Sequence, residues 1–113
     1  MIYKTFDVVV VPFPFTDSNQ TKRRPALVVS SHDTFNGEVE QSVLVMITSA
    51  RNKSWPLDVV IKDLKSTGLP KSSTIRMKFF TLDHRMIIKK AGHLASSDQL
   101  QFKKMFSKLF QDL

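Results

Sequence analysis

The ten residues 21–30 constrain the fold of this chain most. Three consecutive cations, Lys22, Arg23 and Arg24, run directly into Pro25 and an uninterrupted apolar stretch at residues 26–29. A stretch this short and rich in valine predicts a strand buried on both faces. Proline cannot donate to a strand ladder and is tolerated where a strand starts, so Pro25 marks its first residue. Arg24 is therefore expected at the mouth of a rigid strand, with its guanidinium free to meet a ligand.

A second apolar stretch, at residues 42–47, predicts the strand that pairs with the first one. The Asn36-Gly37 pair between the two stretches is a strong turn signal, which favours an antiparallel hairpin. Pairing about this turn sets Pro25 near Thr48 and Arg24 near Ser49, although the long loop leaves the register free to slip. The start of one strand and the end of the next must still share one rim. Arg24 and Thr48 are therefore predicted to be neighbours.

The remaining chain predicts more strands and one helix. Residues 6–15 predict a strand that contains Pro12 and Pro14, which lie two positions apart and therefore both lack a backbone N–H on the same side of the strand. That side cannot form a ladder, so the second half of the strand should lie at a sheet edge or a barrel rim. Residues 57–61, 74–80 and 86–89 predict further strands. Residues 62–73 form a connection with room for one helical turn. Ser96 is interpreted as the N-cap of a terminal helix, with Gln99 completing a capping box.

These elements predict a mainly β domain with a C-terminal helix, an α+β arrangement built on a small antiparallel barrel. The 113 residues suit a single domain, 1–113. No apolar run is long enough to span a membrane, no secretory signal is recognised at the start, and the absence of cysteine excludes disulfides and thiolate metal sites. A cytoplasmic protein that does not associate with membranes is expected.

The charge of the chain points to a polyanionic partner. Lysine and arginine number 17 against 10 aspartates and glutamates, a net charge of +7. Such an excess favours nucleic acid through counterion release and steering, whereas the alternative is that the charge serves only solubility.

Arg24 and Thr48 are the candidate catalytic pair. A guanidinium stays charged and can clamp a phosphate while charge grows on its oxygens, and a threonine hydroxyl adds a donor to the same oxyanion. The alternative is a solvated rim arginine beside an ordinary strand-end threonine. No metal or cofactor is predicted, because the acidic residues are scattered and the histidines show no ligand spacing.

A basic surface with an interleaved aromatic side chain is predicted to bind single-stranded nucleic acid through phosphate contacts and base stacking. The alternative is that the tryptophan belongs to the core and the charges are solvated. The candidate binding residues are Thr16, Lys22, Arg23, Ser49, Arg51, Lys53, Trp55, Arg76 and Lys78.

Four segments together resemble the PemK/MazF family of toxin endoribonucleases from bacterial toxin–antitoxin modules. They are FDVVVVPFPF at residues 6–15, KRRPALVVS at 22–30, VMITSA at 45–50 and FTLDHR at 80–85. The resemblance implies an SH3-like barrel that works as a homodimer and cuts single-stranded RNA, usually mRNA, without a metal ion. It also implies a cognate antitoxin as partner, and it places the family's arginine and threonine on Arg24 and Thr48.

By this resemblance the RNA 2′-hydroxyl attacks the adjacent phosphate, which leaves a 2′,3′-cyclic phosphate and a 5′-hydroxyl. One departure is Phe6, which stands where many relatives have glycine before the aspartate of the first strand. Two alternatives remain open: a non-catalytic barrel that binds RNA or protein, and a toxin on the same fold that acts on DNA gyrase.

Overall fold

The chain folds around one antiparallel sheet in a computed structural model that describes residues 1–13 and 22–113. Within these residues six strands pair in the order β4-β5-β3-β2-β1-β6, so β4 and β6 form the two edges. The predicted class, a mainly β domain with a C-terminal helix, is confirmed. The strands are β1 Asp7–Phe13, β2 Lys22–Val28, β3 Gln41–Ser49, β4 Val59–Val60, β5 Ser73–Asp83 and β6 Lys89–His93.

Strands β2 and β3 pair as predicted but one residue away from the register drawn from the sequence. The ladder joins Ala26 to Met46 and Val28 to Leu44. Continuing this register sets Arg24, not Pro25, opposite Thr48. The ladder stops at Ala26, and the two strands separate beyond it at the shared rim.

The second half of β1 lies at an unpaired side of the sheet, as Pro12 predicted. β6 pairs with β1 only from Asp7 to Val10, whereas Pro12 pairs on the other side with Arg23 of β2. The missing donor of Pro12 therefore faces a side without a ladder in the described part of the chain. Pro14 lies outside the described residues.

The Asn36-Gly37 pair is not a hairpin turn, and that prediction was wrong. A π-helical turn, His32–Asn36, leads directly into a short helix, α1 Gly37–Val39. Asn36 is fully buried, and its side-chain amide donates to the carbonyl oxygens of Tyr3 and Ser30, each at 3.0 Å. The asparagine therefore satisfies buried backbone groups instead of shaping a tight turn.

Two of the later predicted strands are shorter or displaced. Only Val59–Val60 of the predicted 57–61 strand is extended, and it lies at the sheet edge. Residues 84–86 form a 3₁₀ turn, His84–Met86, so the last strand starts at Lys89 instead of Met86. The connection between β4 and β5 contains the expected helical turn, α2 Leu64–Thr67.

The terminal helix, α3 Ser96–Leu109, packs its first half on the sheet. Its N-cap is Ala95 and not Ser96, and Gln99 donates from Nε2 to the carbonyl of Leu94 at 2.7 Å, so no capping box forms. Phe102 is 3% exposed and joins a core cluster with Val8, Leu27 and other apolar side chains. A second cluster, which includes Tyr3, Val9, Val11 and Leu44, fills the other side of the sheet.

Two glycines allow α2 to pack closely against β6, one of the two edge strands. A Cβ on Gly68 would lie 2.2 Å from the carbonyl oxygen of Ala91, and a Cβ on Gly92 would lie 2.4 Å from that of Ser66. Gly68 also ends α2 with a φ of 73°, which glycine adopts without strain. We call this contact between α2 and β6 the glycine seam. No helix in the described part of the chain is long and apolar enough to cross a membrane.

Candidate functional site

A cavity of about 360 Å³ opens where β2 and β3 separate. It contains the predicted pair, because Arg24 comes from the start of β2 and Thr48 from the end of β3. The third wall is the connection from α2 to β5. The side chains lining the cavity are Val10, Lys22, Arg23, Arg24, Pro25, Ile47, Thr48, Ser49, Leu69, Pro70, Lys71, Ser72 and Ser73.

Arg24 lines the cavity, and its backbone is fixed by pairing with Val11 of β1. Its Nε is buried and has no hydrogen-bond partner among the described residues. Because that nitrogen is covered by protein, Arg24 can act on a ligand in the cavity through the charge of its guanidinium and its remaining N–H groups.

Thr48 is 6% exposed, and its backbone is held by β5 through pairing with Thr74. Its Oγ1 accepts a hydrogen bond from Nδ2 of Asn52 at 2.5 Å. Asn52 lies in the loop between β3 and β4, where its backbone N–H donates to the carbonyl of Ser49 at 3.1 Å. Asn52 is absent from the cavity wall and reaches the site only through Thr48.

Arg76 is placed differently from the other candidate binding residues. It is 8% exposed, and its Nη2 lies 3.0 Å from Oδ2 of Asp58 and donates to the carbonyl of Lys53 at 2.6 Å. Its Nε donates to Oδ1 of Asp58 at 3.3 Å, which makes the ion pair bidentate. The guanidinium also lies 4.8 Å from the ring centroid of Trp55. Arg76 therefore fastens the 50–58 loop to β5 and presents no free charge at the surface.

Trp55 is 46% exposed, so it is not a core residue. Its backbone N–H donates to Oδ2 of Asp58 at 2.9 Å, which holds it at the turn that precedes β4. One side of the indole meets Arg76, and the exposed part is accessible from solvent.

The other predicted binding residues divide between the cavity and its surroundings. Lys22, Arg23 and Ser49 line the cavity itself. Arg51, Lys53 and Lys78 are exposed, the first two on the 50–58 loop and the third on β5. Thr16 lies outside the described residues.

The described wall of the cavity is basic and contains no aspartate, glutamate or histidine. Lys22, Arg23, Arg24 and Lys71 contribute cations, while Val10, Pro25, Ile47, Leu69 and Pro70 make most of the wall apolar. Such a site can bind an anion and stabilise added negative charge beside an apolar surface. No group of three or more histidine, aspartate or glutamate side chains that could hold a metal ion occurs in residues 1–13 or 22–113.

Sequence reasoning missed Asn52, Asp58 and the wall formed by residues 69–72. Each acts through a contact with a residue distant in the chain or on another element, and no local pattern encodes such a contact. Asp58 follows Trp55 and Pro56 and looks like an ordinary turn residue in the sequence. The sequence gives no sign that Arg76 of β5 is buried and paired with a carboxylate, so no signal for Asp58 was available.

One comparison with known proteins identifies a family. The family described as PemK-like, MazF-like toxin of type II toxin–antitoxin system matches residues 4–110. A sequence search of curated proteins returns no match.

Solved structures share the fold along nearly the whole chain. MazF from Deinococcus radiodurans (Form-I) superposes with a TM-score of 0.76 at 20% identity, over 98% of each chain. The Mycobacterium tuberculosis toxin MazF-mt6 gives a TM-score of 0.74 at 14% identity, over 93% of this chain and 96% of that one. A mycobacterial endoribonuclease in complex with its cognate antitoxin gives 0.77 at 14% identity, over 98% of this chain and 97% of that one.

Proposed function

This chain belongs to the PemK-like, MazF-like family of toxins of type II toxin–antitoxin systems, and on that basis we propose that it is a metal-independent endoribonuclease that cuts single-stranded RNA, principally mRNA, at short sequences. The observation that carries the proposal is the cavity that Arg24 and Thr48 share, whose described wall contains four cations and no carboxylate. A phosphate bound there would meet the Arg24 guanidinium and the Thr48 hydroxyl together.

The proposed reaction is an internal transfer at phosphorus. The ribose 2′-oxygen forms a bond to phosphorus, the bond from phosphorus to the 5′-oxygen breaks, and the products are a 2′,3′-cyclic phosphate and a 5′-hydroxyl. The described cavity wall contains no aspartate, glutamate or histidine, so the proton lost by the 2′-hydroxyl goes to water and the leaving 5′-oxygen takes one from water. Arg24 and Thr48 stabilise the charge that develops on the non-bridging oxygens, where oriented donors lower the barrier most.

The basic residues around the cavity extend this site along an RNA strand. Lys22 and Arg23 lie on the cavity wall, and Arg51 and Lys53 lie on the adjoining loop with the exposed edge of Trp55. Cations spaced along a strand with an aromatic ring between them suit phosphates and stacked bases. Lys78 would add a more distant phosphate contact, whereas Arg76 contributes by holding the loop.

We further propose that an acidic cognate antitoxin neutralises this protein and that the protein works as a homodimer, as in the family. The net charge of +7 favours association with an acidic partner. One structural relative is an endoribonuclease solved in complex with its cognate antitoxin, which supports the same kind of partner here.

The first test is a denaturing gel of single-stranded RNA incubated in EDTA with the wild-type protein and with Arg24→Ala. The wild type should cut ribo-oligonucleotides and leave all-deoxy oligonucleotides of the same sequence intact, because DNA lacks the 2′-hydroxyl. Arg24→Ala should be slower by about 10²-fold or more, the loss typical for one oxyanion donor. Analysis of the fragment ends should find the cyclic phosphate and the 5′-hydroxyl.

Arg23→Ala is the matched control, because it removes an exposed arginine from the same wall. It should weaken RNA binding and leave the rate at saturating RNA close to that of the wild type. Cleavage of the all-deoxy strand would contradict the 2′-hydroxyl mechanism. RNA that stays intact but bound would favour the non-catalytic barrel, and broken DNA with intact RNA in growth-arrested cells would favour action on gyrase.

A further inference from the structure

The contact between Asn52 and Thr48 restricts the directions in which the hydroxyl proton of Thr48 can point. A threonine hydroxyl has one proton to donate and two lone pairs to accept with. Nδ2 of Asn52 lies 2.5 Å from Oγ1 and donates to it, so one lone pair is occupied. The same side chain is 6% exposed, and its open side is the cavity that it shares with Arg24.

We propose that Asn52 is a positioning residue that directs the Thr48 hydroxyl proton into the cavity, toward the phosphate oxygen that Arg24 also meets. This inference rests on the proposed endoribonuclease function. An amide N–H is a donor only, so its hydrogen bond makes Thr48 an acceptor on the loop side and leaves the threonine proton for the substrate. A donor oriented before the reaction needs no reorganisation when charge develops.

The loop that carries Asn52 is held at several points, so its amide is fixed relative to β3. Next to Thr48, the N–H of Ala50 donates to the carbonyl of Ser72 at 3.1 Å, and the N–H of Asn52 donates to that of Ser49 at 3.1 Å. At the far end, Arg76 binds both the carbonyl of Lys53 and the carboxylate of Asp58. Side chains that act through another residue need this kind of support to be effective.

The test compares two replacements of Asn52 that differ in hydrogen-bonding direction. Asn52→Ala removes the donor, so Thr48 can rotate, and the single-turnover rate at saturating RNA should fall about tenfold, part of the loss expected for a whole oxyanion donor. Asn52→Asp has nearly the same shape, but its carboxylate only accepts, so it captures the Thr48 proton. Its rate should fall further than that of Asn52→Ala, while thermal unfolding shows that both variants fold.

Ser54→Asp is the charge-matched control, because Ser54 is exposed on the same loop and has no contact with Thr48. It should raise the RNA concentration needed for half-maximal rate and leave the saturated rate unchanged. In a Thr48→Val background, Asn52→Ala should cause no further loss, since the group that it positions is already gone.

The outcomes separate this inference from the proposed function. If the wild type cuts RNA but Asn52→Asp is as fast as Asn52→Ala or faster, or if the Asn52→Ala loss persists with Thr48→Val, the positioning role is overturned and the endoribonuclease function stands. If the wild type cuts no RNA, the proposed function is overturned and the inference falls with it.

Discussion

Phe6 occupies a backbone conformation that a large side chain rarely adopts. Its φ is 75°, in the left-handed region, which glycine adopts without strain and which costs any other residue roughly 1 kcal/mol of conformational free energy. The half-buried ring packs against Phe102 at a centroid distance of 6.1 Å, which offsets part of this strain. The Phe6 N–H also donates to the carbonyl of Val28 at 2.7 Å, which holds the backbone in place.

His84 makes the stability of the fold depend on pH. Burial lowers the pKa of His84 below its usual value, against the opposing effect of Asp83. Its Nε2 lies 2.8 Å from Oγ of the fully buried Ser42, and its ring meets Tyr3 edge-on. The unfolded chain therefore binds more protons than the native protein between the unfolded pKa near 6.5 and the lower native one.

We therefore expect the free energy of unfolding to fall as the pH drops through this window. Above the window, the stabilising contribution of the neutral His84 is complete. Urea unfolding at pH 7.5 and at pH 5 should give the wild type a larger loss than His84→Gln, which cannot take up the proton. The subtraction removes the contribution of every other titrating group. Parallel losses in the two proteins would contradict the expectation.

The proximity of Arg24 and Thr48 was predictable from the sequence because it depends only on two consecutive strands. A proline at the start of one apolar strand and a second apolar strand after a loop suffice to bring Arg24 and Thr48 to the same end of the sheet. Asn52 and Asp58 were not predictable, because their partners depend on how β5 and the 50–58 loop meet. Arg76 shows the same limit, since alternation in a strand predicts a face but not a buried carboxylate beside it.

At the scale of elements, the 50–58 loop is held to β5 by the side chain of Arg76. The Arg76 and Asp58 side chains are 10% and 11% exposed, and such a pair is costly to break because one charge is left buried alone. The loop also contains Leu57 at a φ of 67°, after Pro56, in the position of a turn that usually takes glycine. The ion pair and the stacking on Trp55 hold this strained turn in place.

We expect Arg76→Ala to lower the free energy of unfolding by about 3 kcal/mol, because it leaves the Asp58 carboxylate buried without its cation. RNA cleavage should slow as well, since the loop that carries Asn52 loses its anchor. The matched control is Arg85→Ala, which breaks a pair of the same 3.0 Å length with Asp83, but with a guanidinium that is 90% exposed. It should have little effect on stability in the same urea titration. Equal losses in the two variants would show that Arg76 contributes no more than a surface pair.

The predicted strands and helices agree with the structure where hydrophobic periodicity or a proline defines the element. They disagree where a side chain hydrogen-bonds to the backbone. The unpaired side of β1 followed from proline chemistry alone. The Asn36-Gly37 pair misled because Asn36 binds the backbone of Tyr3, which lies 33 positions earlier in the chain. Helix α3 starts one residue earlier than predicted, since the backbone N–H of Gln99 donates to the carbonyl of Ala95 at 2.9 Å, and the Gln99 side chain binds the carbonyl of Leu94.

For the whole molecule, α2 packs on the edge strand β6 through the backbone contact at the glycine seam. The glycine seam has no room for even one methyl group, since the nearest atoms at Gly92 are backbone atoms of Ser66 and Thr67. Gly92→Ala should therefore lower the free energy of unfolding by about 1–3 kcal/mol, the usual cost of an overpacked site. Urea unfolding would measure it.

Gly37→Ala is the control for this prediction. Gly37 has a helical φ of −70°, and the nearest atoms to an added Cβ lie at 3.1 Å. The change should cost less than half of what Gly92→Ala costs. A Gly92→Ala protein as stable as the wild type would show that α2 can move away from β6 without loss.

The glycine seam lies next to one wall of the cavity. Gly68 is followed at once by Leu69, Pro70, Lys71 and Ser72, which form that wall. The other walls include the strands that carry Arg24 and Thr48, whereas this wall is a connection between α2 and β5. On the proposed function, substitutions at residues 69–72 would change the shape of the cavity and leave Arg24 and Thr48 in place. Such substitutions would then change which RNA sequences are cut and leave the reaction itself unchanged.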